Sequence, residues 1–184
     1  MRHSMTVRLV AVGIGLWVSG LSPLGAQGLS RAEALAAVYG NAQVRAEQVF
    51  LTPGQVQQVA ARAGADPASP LVARYLATRD GETIGRAYVD THTVRTKRES
   101  LLISLDGEGR VMRIDVTAFL EPTEFLAPEP WLRQYRGHTL EDNLGIDRAI
   151  RPIGGATLTA RATNGAVRRV LAIDEVLRGT GDAQ

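Results

Sequence analysis

The sequence predicts an α+β domain: an antiparallel sheet built from hairpins, helices packed on one face, and a long helix at the C-terminal end. Three observations carry this. First, residues 71–79 and 83–89 flank Asp80-Gly81, and residues 101–105 and 110–118 flank Asp106-Gly107-Glu108-Gly109, two hairpin signals in succession. Second, in the last strand Val111, Arg113, Asp115 and Thr117 point one way while Met112, Ile114, Val116 and Ala118 point the other, the pattern of a sheet with one covered face. Third, Ala166, Val167, Val170, Leu171, Ile173, Val176 and Leu177 recur at spacings of three and four, the apolar stripe of a helix reaching to about Arg178.

In chain order, Arg2 and Arg8, the apolar run 9–18 and the small residues up to Ala26 read as a cleavable signal peptide over residues 1–26. The run is too short to span a bilayer, and no Cys follows it to take a lipid. Removing 26 of 184 residues leaves 158, enough for one domain with a core. Ser30-Arg31-Ala32-Glu33 is a capping box opening a helix to about Tyr39, and Thr52-Pro53-Gly54-Gln55 opens another to about Arg62. Between them residues 42–50 are ambiguous, with a strand as one reading. Gly64-Ala65-Asp66-Pro67-Ala68-Ser69-Pro70 is a loop by composition, so residues 27–70 are expected to form an N-terminal helical preamble and 71–184 the main domain. After the last strand, Glu121-Pro122 leads into a loop, Pro128-Glu129-Pro130-Trp131 begins a short helix to Tyr135, and Thr139 to Leu144 is expected to add a turn. Residues 150–153 then run extended into the glycines.

Composition excludes several function classes. The pI of 9.4 reflects the leader: 21 Lys and Arg face 19 Asp and Glu, and losing Arg2 and Arg8 balances the charge. A neutral mature domain gives no argument for nucleic acid or an anionic membrane surface. With no cysteine there is no disulfide partner, thiolate chemistry or iron–sulfur ligation. Once His3 leaves with the leader, His92 and His138 stand far apart in sequence, a weak metal case. Both are expected to be solvated or hydrogen-bonded loop residues. No nucleophile elbow supports a hydrolase.

The stretch richest in chemistry is Gly154-Gly155-Ala156-Thr157-Leu158-Thr159, immediately before the long helix. Glycines let backbone approach a ligand closely. A helix start adds unpaired N–H groups and a partial positive charge, so a phosphate held by this protein is expected here. No Lys follows the glycines as a P-loop requires, and there is no G-x-G-x-x-G. The bland alternative is a loop with Thr157 as a helix cap.

Gly155-Ala156-Thr157-Leu158-Thr159 resembles the flavinylation motif of the FMN-binding domain family, which includes extracytoplasmic flavin subunits of the Rnf and sodium-pumping NADH:quinone reductase complexes and periplasmic relatives. The resemblance runs from about Leu71 to Ala172. It implies FMN joined by a phosphodiester to Thr159, with Thr157, Gly154, Gly155, Ala156 and Leu158 around the phosphate. It implies further that the loop carrying Glu121 and Pro122 lies against the flavin ring. Gly154 and Arg151 stand where the family usually has Ser or Thr and Asp. The implied protein is an extracytoplasmic electron carrier or redox-complex component rather than a free-standing enzyme. Its implied partners are an exported FAD-dependent flavin transferase and membrane or periplasmic electron-transfer proteins. The competing expectation is a flavin-free periplasmic binding or accessory module of the same fold.

Two further features carry alternatives. The basic run 91–98 is either a solvated loop or the place where Arg95, Lys97 or Arg98 meets an acidic partner or the flavin phosphate. Trp131 and Tyr135, four apart, read as a packing pair.

Overall fold

The structure, a computed structural model, describes residues 30–66, 68–140 and 143–181; the expected signal peptide lies outside them. Helix α1 (Arg31–Tyr39) and helix α2 (Pro53–Ala63) begin as their capping boxes dictate. Ser30 Oγ accepts from the N–H of Glu33 at 3.3 Å while Glu33 returns a carboxylate oxygen to the Ser30 N–H at 2.9 Å. Thr52 and Gln55 repeat the exchange.

Five strands follow one another in a single antiparallel meander: β1 (Gln43–Phe50), β2 (Leu71–Arg79), β3 (Glu82–Thr93), β4 (Arg98–Asp106) and β5 (Val111–Phe119), in that spatial order. At the β2–β3 turn Asp80 and Gly81 both have positive φ, 52° and 84°, as a two-residue hairpin loop with right-handed strand twist requires. The α+β assignment holds, with one correction to the domain plan. Residues 43–50 do not belong to a helical preamble, because β1 pairs along its whole length with β2, from Gln43↔Thr78 to Phe50↔Leu71. Strand β3 also runs past Val89 to Thr93, taking in the first part of the basic run. The alternation expected in β5 breaks at a bulge opposite Ser104/Leu105, so Val111 joins Ile114 in the main core and Met112 packs against the other.

A short helix α3 (Glu129–Leu132) and a 3-10 turn (Arg133–Tyr135) precede the long helix α4 (Thr157–Gly181). No helical turn forms at Thr139, Leu140, Asn143 or Leu144. Helices α2 and α4 cover one sheet face, where Leu101, Ile103, Leu105 and Ile114 meet Val59, Ala166, Val167, Val170 and Leu171. The next residue along β4, Leu102, points the other way and packs with Ala34, Leu35 and Tyr39 of α1. A Cβ at Gly85 would stand 2.4 Å from Tyr39 Cε1 and 2.6 Å from the Leu105 carbonyl oxygen, so only glycine admits the ring there.

Between β3 and α4 runs a buried polar ladder. Asp174, 1% exposed, accepts from Arg86 Nε at 2.5 Å and from the Tyr88 hydroxyl at 2.9 Å. Asp90 takes a two-pronged bond from Arg169, at 2.7 and 2.8 Å. His92 bridges Asp90 and Glu99, and Thr163 donates to Glu99 at 3.2 Å. Buried charges persist only when paired. These pairs therefore fix how α4 sits on the sheet, and with it where the helix begins.

Candidate functional site

The start of α4 opens onto a cavity of about 260 Å³. Gly155 makes the approach turn with φ +78°, and Ala156 accepts the first helical bond from the N–H of Ala160 at 3.0 Å. Ala156 is therefore the cap, and it has no side-chain oxygen. Thr157, offered above as a cap, is instead the first helical residue. Among the described residues none accepts from the N–H of Thr157, Leu158 or Thr159. These are the donors that a helix leaves for a side chain, water or an anion.

The opposite wall is set by Glu121. One of its carboxylate oxygens accepts from the N–H of Thr96 at 2.7 Å and of Lys97 at 2.8 Å, and from the Thr96 hydroxyl at 3.3 Å. Those backbone donors, Thr96 first and Lys97 second, hold the carboxyl below the ordinary range. The bonds lock the turn between β3 and β4 to the end of β5, placing Val94 and Arg95 on the cavity wall. Arg95 is exposed and brings a cation to the same space as the helix start. The rest of the wall is Phe125, from the 3-10 turn Thr123–Phe125 that Pro122 precedes.

The motif residues do not all stand where the resemblance implies. Gly155, Ala156, Thr157, Leu158, Thr159 and Glu121 line the cavity; Gly154 and Pro122 do not. Thr157 is exposed, but Thr159 is 1% exposed and its hydroxyl donates to the Phe125 carbonyl at 2.7 Å. Thr159 thus reaches the site with its hydrogen already committed. Glu121 also differs from expectation: its carboxylate braces a turn rather than standing open.

The extended approach to the motif is tied down by the aromatic pair, Trp131 and Tyr135, packed edge-on with ring centres 5.6 Å apart. Trp131 Nε1 donates to the Arg151 carbonyl at 2.6 Å, and the Tyr135 hydroxyl donates to Asn164 on α4 at 3.1 Å. One polar tip of an otherwise apolar pair thereby fixes the segment leading to Gly155, and the other anchors the pair to α4.

A second cluster was not foreseen. His92 is no loop histidine: it sits at the end of β3 between Asp90, 2.9 Å from Nδ1, and Glu99, 3.0 Å from Nε2. Burial alone would lower its pKa, but bonds to Asp90 and Glu99 and their charges outweigh that and raise it to about 9. Asp90, opposed by burial, is nonetheless held below its usual value by His92 and Arg169. The available signal was the period-two row Arg86, Tyr88, Asp90 and His92, which reads as a wet face until α4 is placed against it. Among the described residues no group of three or more His, Cys, Asp or Glu is placed to hold a metal ion, and no helix is long and apolar enough to cross a membrane. Compared with protein-family models, curated proteins and solved structures, the chain matches none.

Proposed function

We propose that this chain is an extracytoplasmic electron-transfer flavoprotein carrying FMN at the start of α4 through a phosphodiester to Thr159. The observation that carries the reading is the convergence on one cavity of three N–H groups with no acceptor among the described residues, the free Thr157 hydroxyl and Arg95, beside the Thr159 oxygen. That is the donor set a phosphate takes, and a helix start stabilises such charge by ~1 kcal/mol. Ligand pockets usually enclose roughly 300–1,000 Å³. At about 260 Å³ the cavity suits the phosphate and the beginning of the ribityl chain. Leu120, Leu126 and Leu158, which are 58%, 36% and 50% exposed, are the apolar side chains that would cover a flavin ring bound there. Each of these leucines lines the cavity or adjoins a residue that does.

Bound FMN supplies reversible one- and two-electron chemistry; the protein holds and orients it. In attachment, the Thr159 oxygen bonds to the riboflavin-side phosphorus of FAD, the pyrophosphate bond breaks, AMP departs and the hydroxyl proton is released. Thr159 must first release the Phe125 carbonyl, so the turn Thr123–Phe125 shifts or the side chain rotates. Attachment is by an exported flavin transferase, and the signal-peptide pattern in residues 1–26 supports the compartment. Electrons then pass to and from membrane or periplasmic redox proteins.

The occupied Thr159 hydroxyl favours a second reading, a flavin-free binding or accessory module whose cavity takes an anion without a covalent bond. Co-expression with a flavin transferase separates the two. Under the first, intact-mass spectrometry finds the protein heavier by FMN less water. T159A stays at the apo mass, T159S is modified, and T157A is modified less completely. Wild type at the apo mass refutes the flavin reading, and modification surviving in T159A refutes the residue.

A further inference from the structure

We propose that β1 is a homodimer edge, pairing antiparallel with β1 of a second copy of this chain about an axis at Ala46. Strand order makes β1 and β5 the two edges of the sheet. The edge of β5 is engaged at Val111, which exchanges backbone bonds with Gly137 and His138 at 2.7 and 2.9 Å. No described segment pairs with the outer edge of β1, eight residues long, without proline and without a bulge in its pairing to β2. Such an edge is a template for another strand unless something opposes it.

The residues on β1 select the partner. Within one chain Glu47 already bonds Arg74 and Arg45, whose side chain stays 71% exposed; with Ala46 opposite its own copy, Arg45 also faces Glu47 of the second chain and Glu47 faces Arg45, extending each intrachain pair across the axis. A parallel, in-register copy would set Arg45 against Arg45, so the charges favour the antiparallel arrangement. The same register carries Phe50 to a position opposite Ala42. Among the described residues Phe50 is the most exposed of the large apolar side chains, at 73%, and it shares a face with Ala42, Val44 and Ala46. On that face, between α1 and β1, lies a concavity of about 480 Å³ lined by Leu35, Gly40, Ala42, Val44, Ala46 and Tyr75. The ring from each copy enters the concavity of the other, so one register satisfies charge, backbone and apolar surface together. Self-complementarity of this kind is what a two-fold contact requires.

The test uses the mature protein in sedimentation equilibrium and native mass spectrometry. Wild type is expected to dimerise reversibly. R45E places Glu opposite Glu and E47R places Arg opposite Arg; each weakens self-association by about tenfold or more. Mixing the two variants restores association as a heterodimer, because every facing pair is then Glu with Arg. F50A weakens the dimer while leaving monomer unfolding unchanged. A monomeric wild type overturns the proposal, as does a dimer indifferent to R45E and F50A. Folded variants that fail to associate when mixed overturn the register. None of these outcomes depends on whether flavin is bound.

Discussion

Replacing Asp174 with Ala removes the acceptor that three side chains share. Arg86, 7% exposed, loses its only carboxylate and keeps just the carbonyls of Gly107 at 2.9 Å and Asp106 at 3.4 Å. The Tyr88 hydroxyl, on a residue with no exposed surface, loses its acceptor too. Arg178 is more than a third exposed, so its share is small. Breaking a buried ion pair from one side costs ~3–5 kcal/mol, because the other charge stays buried. For a domain of this size that lowers Tm by roughly 10 °C, and removes a large fraction of a typical stability of ~5–15 kcal/mol. Urea and thermal unfolding followed by circular dichroism measure the loss. The decisive comparison is R86M combined with D174L: with both charges gone and the space filled, the ion-pair loss should be recovered, leaving ~1–3 kcal/mol for the Tyr88 hydroxyl that still lacks its acceptor. A D174A loss below ~1 kcal/mol, or losses that add in the double variant instead of cancelling, would refute the claim that this pair is a tightly coupled buried unit.

Two other consequences are measurable. His92 has its folded pKa raised to about 9 from 6.5, so its contribution to stability is complete below about pH 6.5 and fades as pH climbs through 9. Wild-type stability should fall across that window, and H92Q should flatten the fall; an unchanged slope in H92Q would remove His92 from the account. On the acid side Asp90, whose pKa is lowered, holds its contribution down past its ordinary value of 3.8, and the loss comes only at more acid pH. G85A forces a methyl into Tyr39 and the Leu105 carbonyl and should cost ~1–3 kcal/mol. In a Y39A background G85A should cost less than it does alone; no loss in G85A would mean that α1 sits looser than the contacts indicate.

Local signals were legible in the sequence, and signals that depend on distant partners were not. Ser30 with Glu33, Thr52 with Gln55, and Asp80 with Gly81 act within four residues, so their pattern dictates their geometry. Strand β1 was obscure because, as an edge, it buries almost nothing and lacks the alternation of a half-covered strand. The extension of β3 through Asp90 and His92 was hidden because Asp90's partner Arg169 lies 79 residues away. At the site, the glycines and threonines announced a helix start with room for an anion. That the Phe125 carbonyl would occupy the Thr159 hydroxyl, and that Glu121 would brace the turn bearing Arg95, depends on loops folding from elsewhere in the chain.

The meander gives the chain an uneven order of assembly. Every strand lies beside its sequence neighbour; the β2–β3, β3–β4 and β4–β5 pairings close short turns and the β1–β2 pairing closes only the connection that carries α2, so the sheet forms at little entropic cost. Helix α4 is the exception: Arg168 reaches Ala63 across 105 residues, and Gln55 reaches Thr180 across 125. A nascent chain can therefore complete its whole sheet while the apolar side that α4 covers is still bare. The segment holding Thr157 and Thr159 is the lid that arrives last, and a truncation before it would leave five paired strands with a sticky, unshielded surface.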